Sequence, residues 1–420
     1  MRLLIFLLFM SSLLAQAQNQ APDLGRLSLG EADALLAQKN RELQAARRAV
    51  ESAEAATLTA GQRPNPNLSL GTVNISPSRG IGGGALRDKA VDSTIRLDQL
   101  IERGNKRELR VSTAKKLEAA SGEDLADVQR QQRLVLRGSY YDLALAQDKV
   151  VISADTAALF QRTLAAAELR LSAGDIASSD VARIRVDALR AQNDARASDA
   201  DRKRAQFTLA YLIGVEQRAD MLRATDAWPA PLPTTAIELD PVIERRPDVR
   251  AARARIEAAN EARELARSLR TRDVSVGVQF EHFPDNFGNT SNSYGVALSI
   301  PLFTRYYYEG EIAQAEAAYN YATDNLERAR AIARSEIGRA LTDLAAAAER
   351  LARYQDNLLA EAKKSADSAE FAYKNGAIGV MDLLDARRIL RAIQLDAASA
   401  QADYAKALAA WQFGSLQGAE

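Results

Sequence analysis

From Asn105 to Leu171 the chain contains no proline and only two glycines, Gly122 and Gly138. The interval reads as one helix, with any bend near Ser121-Gly122. At about 1.5 Å per residue it would run roughly 100 Å, too long for an ordinary globular domain. A helix of that length needs neighbours along all of it. Leu136, Leu143, Val150, Ala157, Leu164 and Leu171 are spaced by seven, and so are Leu145, Ile152, Leu159 and Ala166. The two series are offset by two residues, roughly 200° around the helix, so they mark nearly opposite flanks. Two flanking stripes suit a helix set between two neighbours in a ring; the alternative is a buried helix of a solid bundle.

The chain then repeats itself, which decides the fold. Arg41-Glu42-Leu43 matches Pro247-Asp248-Val249, and Ala45-Ala46-Arg47 matches Ala251-Ala252-Arg253, without a gap. Each copy predicts a helix, a strand hairpin, a long helix, a turned tip and a returning helix. The expected order is a signal peptide (1–17), a first repeat (18–214), a linker (215–236), a second repeat (237–414) and a tail (415–420). The first repeat places its strand hairpin at 67–99 and its tip at 172–180; the second places them at 273–301 and 374–382. Single helices are expected over Leu29–Gly61, Ile237–Arg270 and about Gly310 to Tyr373, the last with Ile337, Leu344, Leu351 and Leu358 spaced by seven. Met1-Arg2, an apolar run to Leu14 and Ala15-Gln16-Ala17 have the form of a signal peptide, so cleavage after Ala17 and export are expected. Pro229, Pro231 and Pro233 mark the linker.

The strands carry period-two alternation. Val274, Val276, Val278 and Phe280 form one apolar series; Tyr294, Val296, Leu298 and Ile300 form another; Val91, Ser93, Ile95 and Leu97 form a half-buried one. Leu68 and Leu70 followed by Val73 and Ile75 predict a bulge. Strands of roughly ten residues cross an outer membrane when tilted. Four strands cannot close a barrel, and an open sheet edge cannot exist in lipid. Three chains supply twelve strands, a closed number. The expected fold is therefore mainly α with a small β part: long-helix hairpins forming a trimeric α-helical barrel beneath a shared 12-stranded transmembrane β-barrel.

Composition narrows function. Lys+Arg 55 balance Asp+Glu 55, without the basic excess of a nucleic-acid binder. With no Cys and one His, a Cys/His metal site, a cysteine protease and a thiol redox enzyme are excluded. No nucleophile–base set, phosphate loop or metal cluster is visible, so no enzyme activity, cofactor or metal site is expected.

The tips hold the candidate site. In Tyr373–Ala386, Gly376 and Gly379 interrupt two helical patterns and permit a turn, and Asp382 and Asp385 follow at i, i+3 on one helix face. In Leu171–Arg183, Gly174 and Asp180 lie 202 residues before Gly376 and Asp382. Helix capping accounts for acids at such places, as it does for Ser178 and Ser179. It does not account for the duplication of the tip.

The tandem repeat, the paired strands and the run G-x-x-x-x-x-D-x-x-D over Gly376–Asp385 resemble the TolC-like outer membrane efflux factors over essentially the whole mature chain. Gln99–Arg107 also resembles the strand-to-helix passage of the cobalt–zinc–cadmium branch. The resemblance implies a homotrimeric duct in the outer membrane of a Gram-negative bacterium, with a long periplasmic extension. A periplasmic adaptor, an inner-membrane pump and outer membrane lipid would be its partners. It further implies a periplasmic gate at Asp382, Asp385, Asp180, Ser179 and Tyr373, with Gly174, Gly376 and Gly379 at the turns that meet the adaptor. The chain departs from TolC at Ile378, where TolC has a basic residue that locks the closed state. Tyr306, Tyr307 and Tyr308 read either as interface aromatics or as local packing at the strand–helix junction. His282 reads as an exposed loop residue, and Trp228 and Trp411 as packing anchors. Drug efflux and type I secretion are alternatives within the family. A soluble periplasmic coiled-coil protein is the alternative outside it.

Overall fold

The computed structural model describes residues 23–75, 77–78, 80–81, 83, 91–231, 238–284 and 290–415. The expected signal peptide, the end of the linker and residues 416–420 lie outside them. After a 3-10 turn at Leu24–Arg26 come α1 (Leu29–Lys39), α2 (Arg41–Ala60), β1 (Asn67–Val73), β2 (Asp92–Ile101), α3 (Lys106–Ser172) and α4 (Ser178–Ile213). A second 3-10 turn, Glu216–Met221, leads to α5 (Leu239–Arg245), α6 (Pro247–Ser268), β3 (Val274–Pro284), β4 (Thr290–Ser299), α7 (Glu309–Arg353), α8 (Leu359–Lys374) and α9 (Val380–Gly414). The chain is mainly helical with a small antiparallel sheet, and α3 is one unbroken helix of 67 residues.

The chain divides into two compact units. One contains Met1–Ala45, Val128–Val242 and Arg334–Glu420; the other contains Ala46–Asp127 and Ile243–Ala333. Both expected opening helices are broken, at positions 206 residues apart. Asn40 is extended between α1 and α2; its Nδ2 donates to Leu212 O at 3.0 Å and its Oδ1 accepts from Leu43 N at 3.0 Å. Arg246 is extended before α6 and fully buried, with Nε and Nη2 donating to the Asp248 carboxylate at 3.0 and 2.7 Å. A side chain that satisfies the freed backbone, or a proline at N1, makes a break cheaper than continuing the helix.

In the first unit, Tyr140 is the polar centre of the core built by Leu24, Leu27, Leu36, Leu136, Leu143, Leu209 and Ile213. Its hydroxyl donates to Leu27 O at 2.9 Å and accepts from Thr225 N and Asp226 N at 3.1 Å each. Trp228 stacks on Tyr141 at 5.7 Å and donates to Asp148, whose carboxyl burial pushes above its ordinary range. Trp411 is buried.

Leu136 and Leu143 of the first stripe on α3 are fully buried, but beyond them cover thins on both stripes. Val150, Ala157 and Leu164 are half-buried and Leu171 exposed, as Leu145, Ile152 and Leu159 are half-buried and Ala166 exposed. On α7, Ile337, Leu344 and Leu351 are buried, but Leu358 is 42% exposed. Leu358 ends a π turn, Tyr354–Leu358, that separates α7 from α8 within the expected single helix. A π turn inserts one residue, so the seven-residue register slips. The buried stripe accordingly resumes at Ala362 and Ala366, one residue later than the heptad count.

In the second unit the four strands form one antiparallel sheet in the order β1-β2-β3-β4, and among the described residues no strand pairs with the outer edges of β1 and β4. Leu68, Leu70, Ile95, Leu97, Val278, Phe280, Tyr294, Val296 and Leu298 share one face through the pairings Leu68↔Leu97, Leu70↔Ile95, Leu97↔Val278, Ile95↔Phe280, Phe280↔Tyr294, Val278↔Val296 and Val276↔Leu298. Most are exposed, Tyr294 by 83% and Val296 by 82%. The opposite face carries mostly Ser, Thr, Gly, Arg, Asp, Gln and Glu, with Val73, Leu100, Phe283 and Ala297 among them. The expected bulge in β1 is absent: the register runs unbroken to Val73↔Asp92, and Thr72 takes the apolar-face position. Asn74, with φ 62, ends the strand, so Val73 and Ile75 do not continue the alternation. His282 is a second correction. β3 reaches Pro284, so His282 is a strand residue, 9% exposed, with Nδ1 at 2.8 Å from Asn292 Oδ1.

Tyr140→Phe removes the buried donor to Leu27 O and leaves the part-buried N–H groups of Thr225 and Asp226 without their acceptor. It should lower unfolding free energy by about 1–3 kcal/mol. Denaturant titration of the purified protein checks this; an unchanged midpoint would contradict the hub role of Tyr140.

Candidate functional site

Both tips are built by the same backbone device. At the end of α3, Asp175 N donates to Arg170 O at 2.9 Å and Gly174 N to Leu171 O at 3.0 Å. At the end of α8, Ala377 N donates to Ala372 O at 2.9 Å and Gly376 N to Tyr373 O at 3.0 Å. These are two Schellman caps, and each needs a left-handed residue, supplied by Gly174 (φ 83) and Gly376 (φ 74). Gly379 has a different part: with φ −74 it is the extended N-cap of α9, and its N–H donates to Asp382 Oδ2 at 3.2 Å. The capping role of the acids is thus realised at Asp382. Ser179 and Asp180 stand in the first turn of α4, after the extended N-cap Ala177, and Asp180 makes no ion pair among the described residues.

A salt bridge is also duplicated. Glu168 on α3 pairs with Arg185 on α4 at 2.7 Å, and Glu370 on α8 pairs with Arg387 on α9. Both residues of the second pair lie 202 positions after those of the first. Each bridge straps an outgoing helix to its returning partner. The first is open to water, with side chains 57% and 47% exposed; the second is more enclosed, at 18% and 34%.

Further contacts join the two hairpins. Phe160, Ala167, Val181, Ile184, Ala188, Val380 and Leu384 form one apolar cluster, with Ile176, Tyr373 and Met381 against it. Arg170 donates to the Tyr373 hydroxyl at 3.2 Å and lies over its ring. Arg388 pairs with Asp385 at 2.6 Å and with Asp187 on α4. Arg391 pairs with Asp194 at 2.8 Å. Asp187 has a side chain only 10% exposed, so its partner matters more than in a surface pair. A groove of about 370 Å³ opens here, lined by Arg183, Val186, Asp187, Arg190, Met381 and Arg388.

Of the expected gate residues, the structure engages Tyr373, Asp382 and Asp385, each differently. Asp187, Asp194, Arg388, Arg391 and Arg170 were not legible as site residues. Their ion pairs cross between hairpins, and no short-range motif announces such a contact. Ile378 and Ile176, also 202 apart, are half-buried at matching places in the two turns.

At the strand-to-helix passage, Gly104 (φ 73) and Asn105 (φ 57) turn the chain into α3. Lys106 Nζ donates to Asp273 and Thr271 O at 2.8 Å each, and Arg103 N donates to Asp273 at 2.9 Å. Arg110 grips Glu102 and holds its carboxyl below the usual range. Tyr306, Tyr307 and Tyr308 cluster with Phe303, Tyr308 at 5.2 Å from its ring, while Tyr306 and Tyr307 stay about half exposed. Among the described residues no group of three or more His, Asp or Glu side chains is arranged to hold a metal ion, and no helix is long and apolar enough to cross a membrane.

Residues 239–412 match the family model described as Outer membrane efflux protein. The cobalt-zinc-cadmium resistance protein CzcC of Cupriavidus metallidurans is 26% identical over 370 residues, 87% of this chain and 84% of that protein. Among solved structures, a membrane protein from Pseudomonas aeruginosa superposes with TM-score 0.77 at 18% identity, covering 92% of this chain and 90% of the other. The channel CusC does so with TM-score 0.75 at 17% identity, covering 92% and 91%. The fold is that of the outer membrane channels. The family match over residues 239–412 and the likeness to CzcC over most of the chain support an outer membrane efflux channel of the TolC-like kind.

The enclosed strap Glu370–Arg387 should couple more strongly than the wetted strap Glu168–Arg185. Double-mutant cycles with Gln should give about 0.2–1 kcal/mol for the wetted pair and more for the enclosed one. Equal couplings would contradict the ranking by exposure.

Proposed function

We propose that three copies of the chain form a passive duct that carries heavy-metal cations out of the cell, fed by an inner-membrane pump through a periplasmic adaptor. The observation that carries the duct is the four-stranded sheet, apolar and exposed on one face and polar on the other, with both edges unpaired. Shared among three chains, such sheets satisfy every edge in lipid. The cation cargo is supported by the likeness to CzcC, whose name records cobalt, zinc and cadmium resistance. The chain acts by conduction and not by catalysis. It reaches the outer membrane after cleavage behind Ala17. Outside the strand hairpins, the aromatic cluster at Tyr306–Tyr308 suits the membrane interface.

The helix tips serve as the gate. Threefold symmetry turns each exposed acid, such as Asp382 or Asp385, into a ring of like charges that attracts cations. Arg388 and Arg391 hold the second hairpin to Asp187 and Asp194 of the first. They supply basic partners that Ile378 does not. Opening breaks these pairs, and an adaptor that binds the open tips more tightly shifts the balance. The turns at Gly174, Gly376 and Gly379 are the surfaces offered to it.

Deletion of the gene should abolish growth protection against cobalt, zinc or cadmium, with rescue by the wild-type chain. Unchanged metal tolerance would reject the cargo. Arg388→Gln with Arg391→Gln should raise resting single-channel conductance several-fold. Asp382→Ala with Asp385→Ala should also raise it and weaken block by multivalent cations. Wild-type behaviour in both variants would reject the gate.

A further inference from the structure

Arg96 lies across the polar face of the sheet. Its Nε and Nη2 donate to the two oxygens of Asp98 at 2.7 and 2.8 Å, and its Nη1 donates to Gln279 Oε1 at 3.2 Å. Gln279 Nε2 donates to Glu281 Oε1 at 3.2 Å, and Ser293 Oγ donates to Glu281 Oε2 at 3.4 Å. The lattice therefore runs from β2 over β3 to β4.

Two glycines sit under it. Asp98 pairs with Gly277, and Gln279 pairs with Gly295. A Cβ on Gly277 would overlap the Asp98 carboxylate and lie 3.1 Å from Arg96 Nη2. A Cβ on Gly295 would lie 2.9 Å from Gln279 Cγ. Neither glycine has a positive φ, so backbone conformation does not require them. Glycine inside a strand costs about 0.5–1 kcal/mol. What offsets that cost here is room: the long polar side chains lie down where a Cβ would lift them.

We propose that Gly277 is a positioning residue for permeation. Acting through Asp98, it keeps the Arg96 guanidinium folded onto the wall of the duct, neutralised and out of the water-filled bore. This rests on the duct reading, which makes the polar face the wetted one. With Arg96 matched by Asp98, Glu281, which makes no ion pair among the described residues, leaves the lattice net negative. A wall of that sign favours cations. Lifting Asp98 releases a permanent positive charge on a flexible stem, which reaches into the bore and opposes them.

The test is the reversal potential and conductance of the full chain in planar bilayers under a salt gradient. Gly277→Ala should lower conductance and shift selectivity toward anions, although it changes no charge. Arg96→Gln should shift selectivity toward cations. The double variant should behave as Arg96→Gln does, because the displaced group is then gone. If Gly277→Ala does not insert, Asp98→Asn releases Arg96 without touching the backbone and should give the same anion-ward shift. Wild-type reversal potentials in Gly277→Ala or Asp98→Asn, or a double variant that keeps the Gly277→Ala shift, would overturn the inference while leaving the duct intact. A wild-type chain that carries no current would overturn the duct reading itself.

Discussion

Unpaired backbone at a sheet edge is the constraint from which the rest follows. Each N–H or C=O left without a partner in hydrocarbon costs several kcal/mol. β1 and β4 present two whole rows of them. The exposed face beside those edges is apolar, with Tyr294, Val296 and Leu70 standing outward. In water that face is a liability, and in lipid the edges are. Closure with other copies removes both at once. The far half of α3 fits the same need, since Val150, Ala157 and Leu164 on one stripe and Leu145, Ile152 and Leu159 on the other are only half-buried by the chain itself.

The same economy governs the tips. Glycines at Gly174 and Gly376 allow the helix ends to be capped by backbone alone. Side chains are thereby released for contacts between helices: straps within each hairpin and ion pairs between hairpins. The pairs within a hairpin are duplicated and hold its two helices together. Those between hairpins are not duplicated, and Asp187 is the most enclosed acid among them. The joint between the hairpins combines these ion pairs with the buried apolar cluster around Ile184, Ala188 and Leu384, so parting the hairpins would cost both.

Much of this was legible in the residues. The repeat, α3, the two tips and the four strands all show as period, spacing and punctuation, because they are local. The breaks at Asn40 and Arg246 did not show: Asn40 acts through Leu212, far along the chain, although Pro247 was a usable sign. The π turn was hidden because Leu358 kept the heptad spacing while leaving the stripe. The bulge expected in β1 came from giving Val73 and Ile75 a face that Asn74 denies them. His282 was misplaced because β3 runs past the point where alternation fades. The acids of the tip were visible as caps, whereas their arginine partners, Arg388 and Arg391, became visible only when α4 and α9 lay side by side.

The most direct test is the mass of the particle extracted in mild detergent, measured by native mass spectrometry while its conductance is followed in parallel. Three chains in every conducting particle is the predicted result. A single chain that still conducts ions would contradict it, because one sheet of four strands would then have survived in lipid with its edges bare.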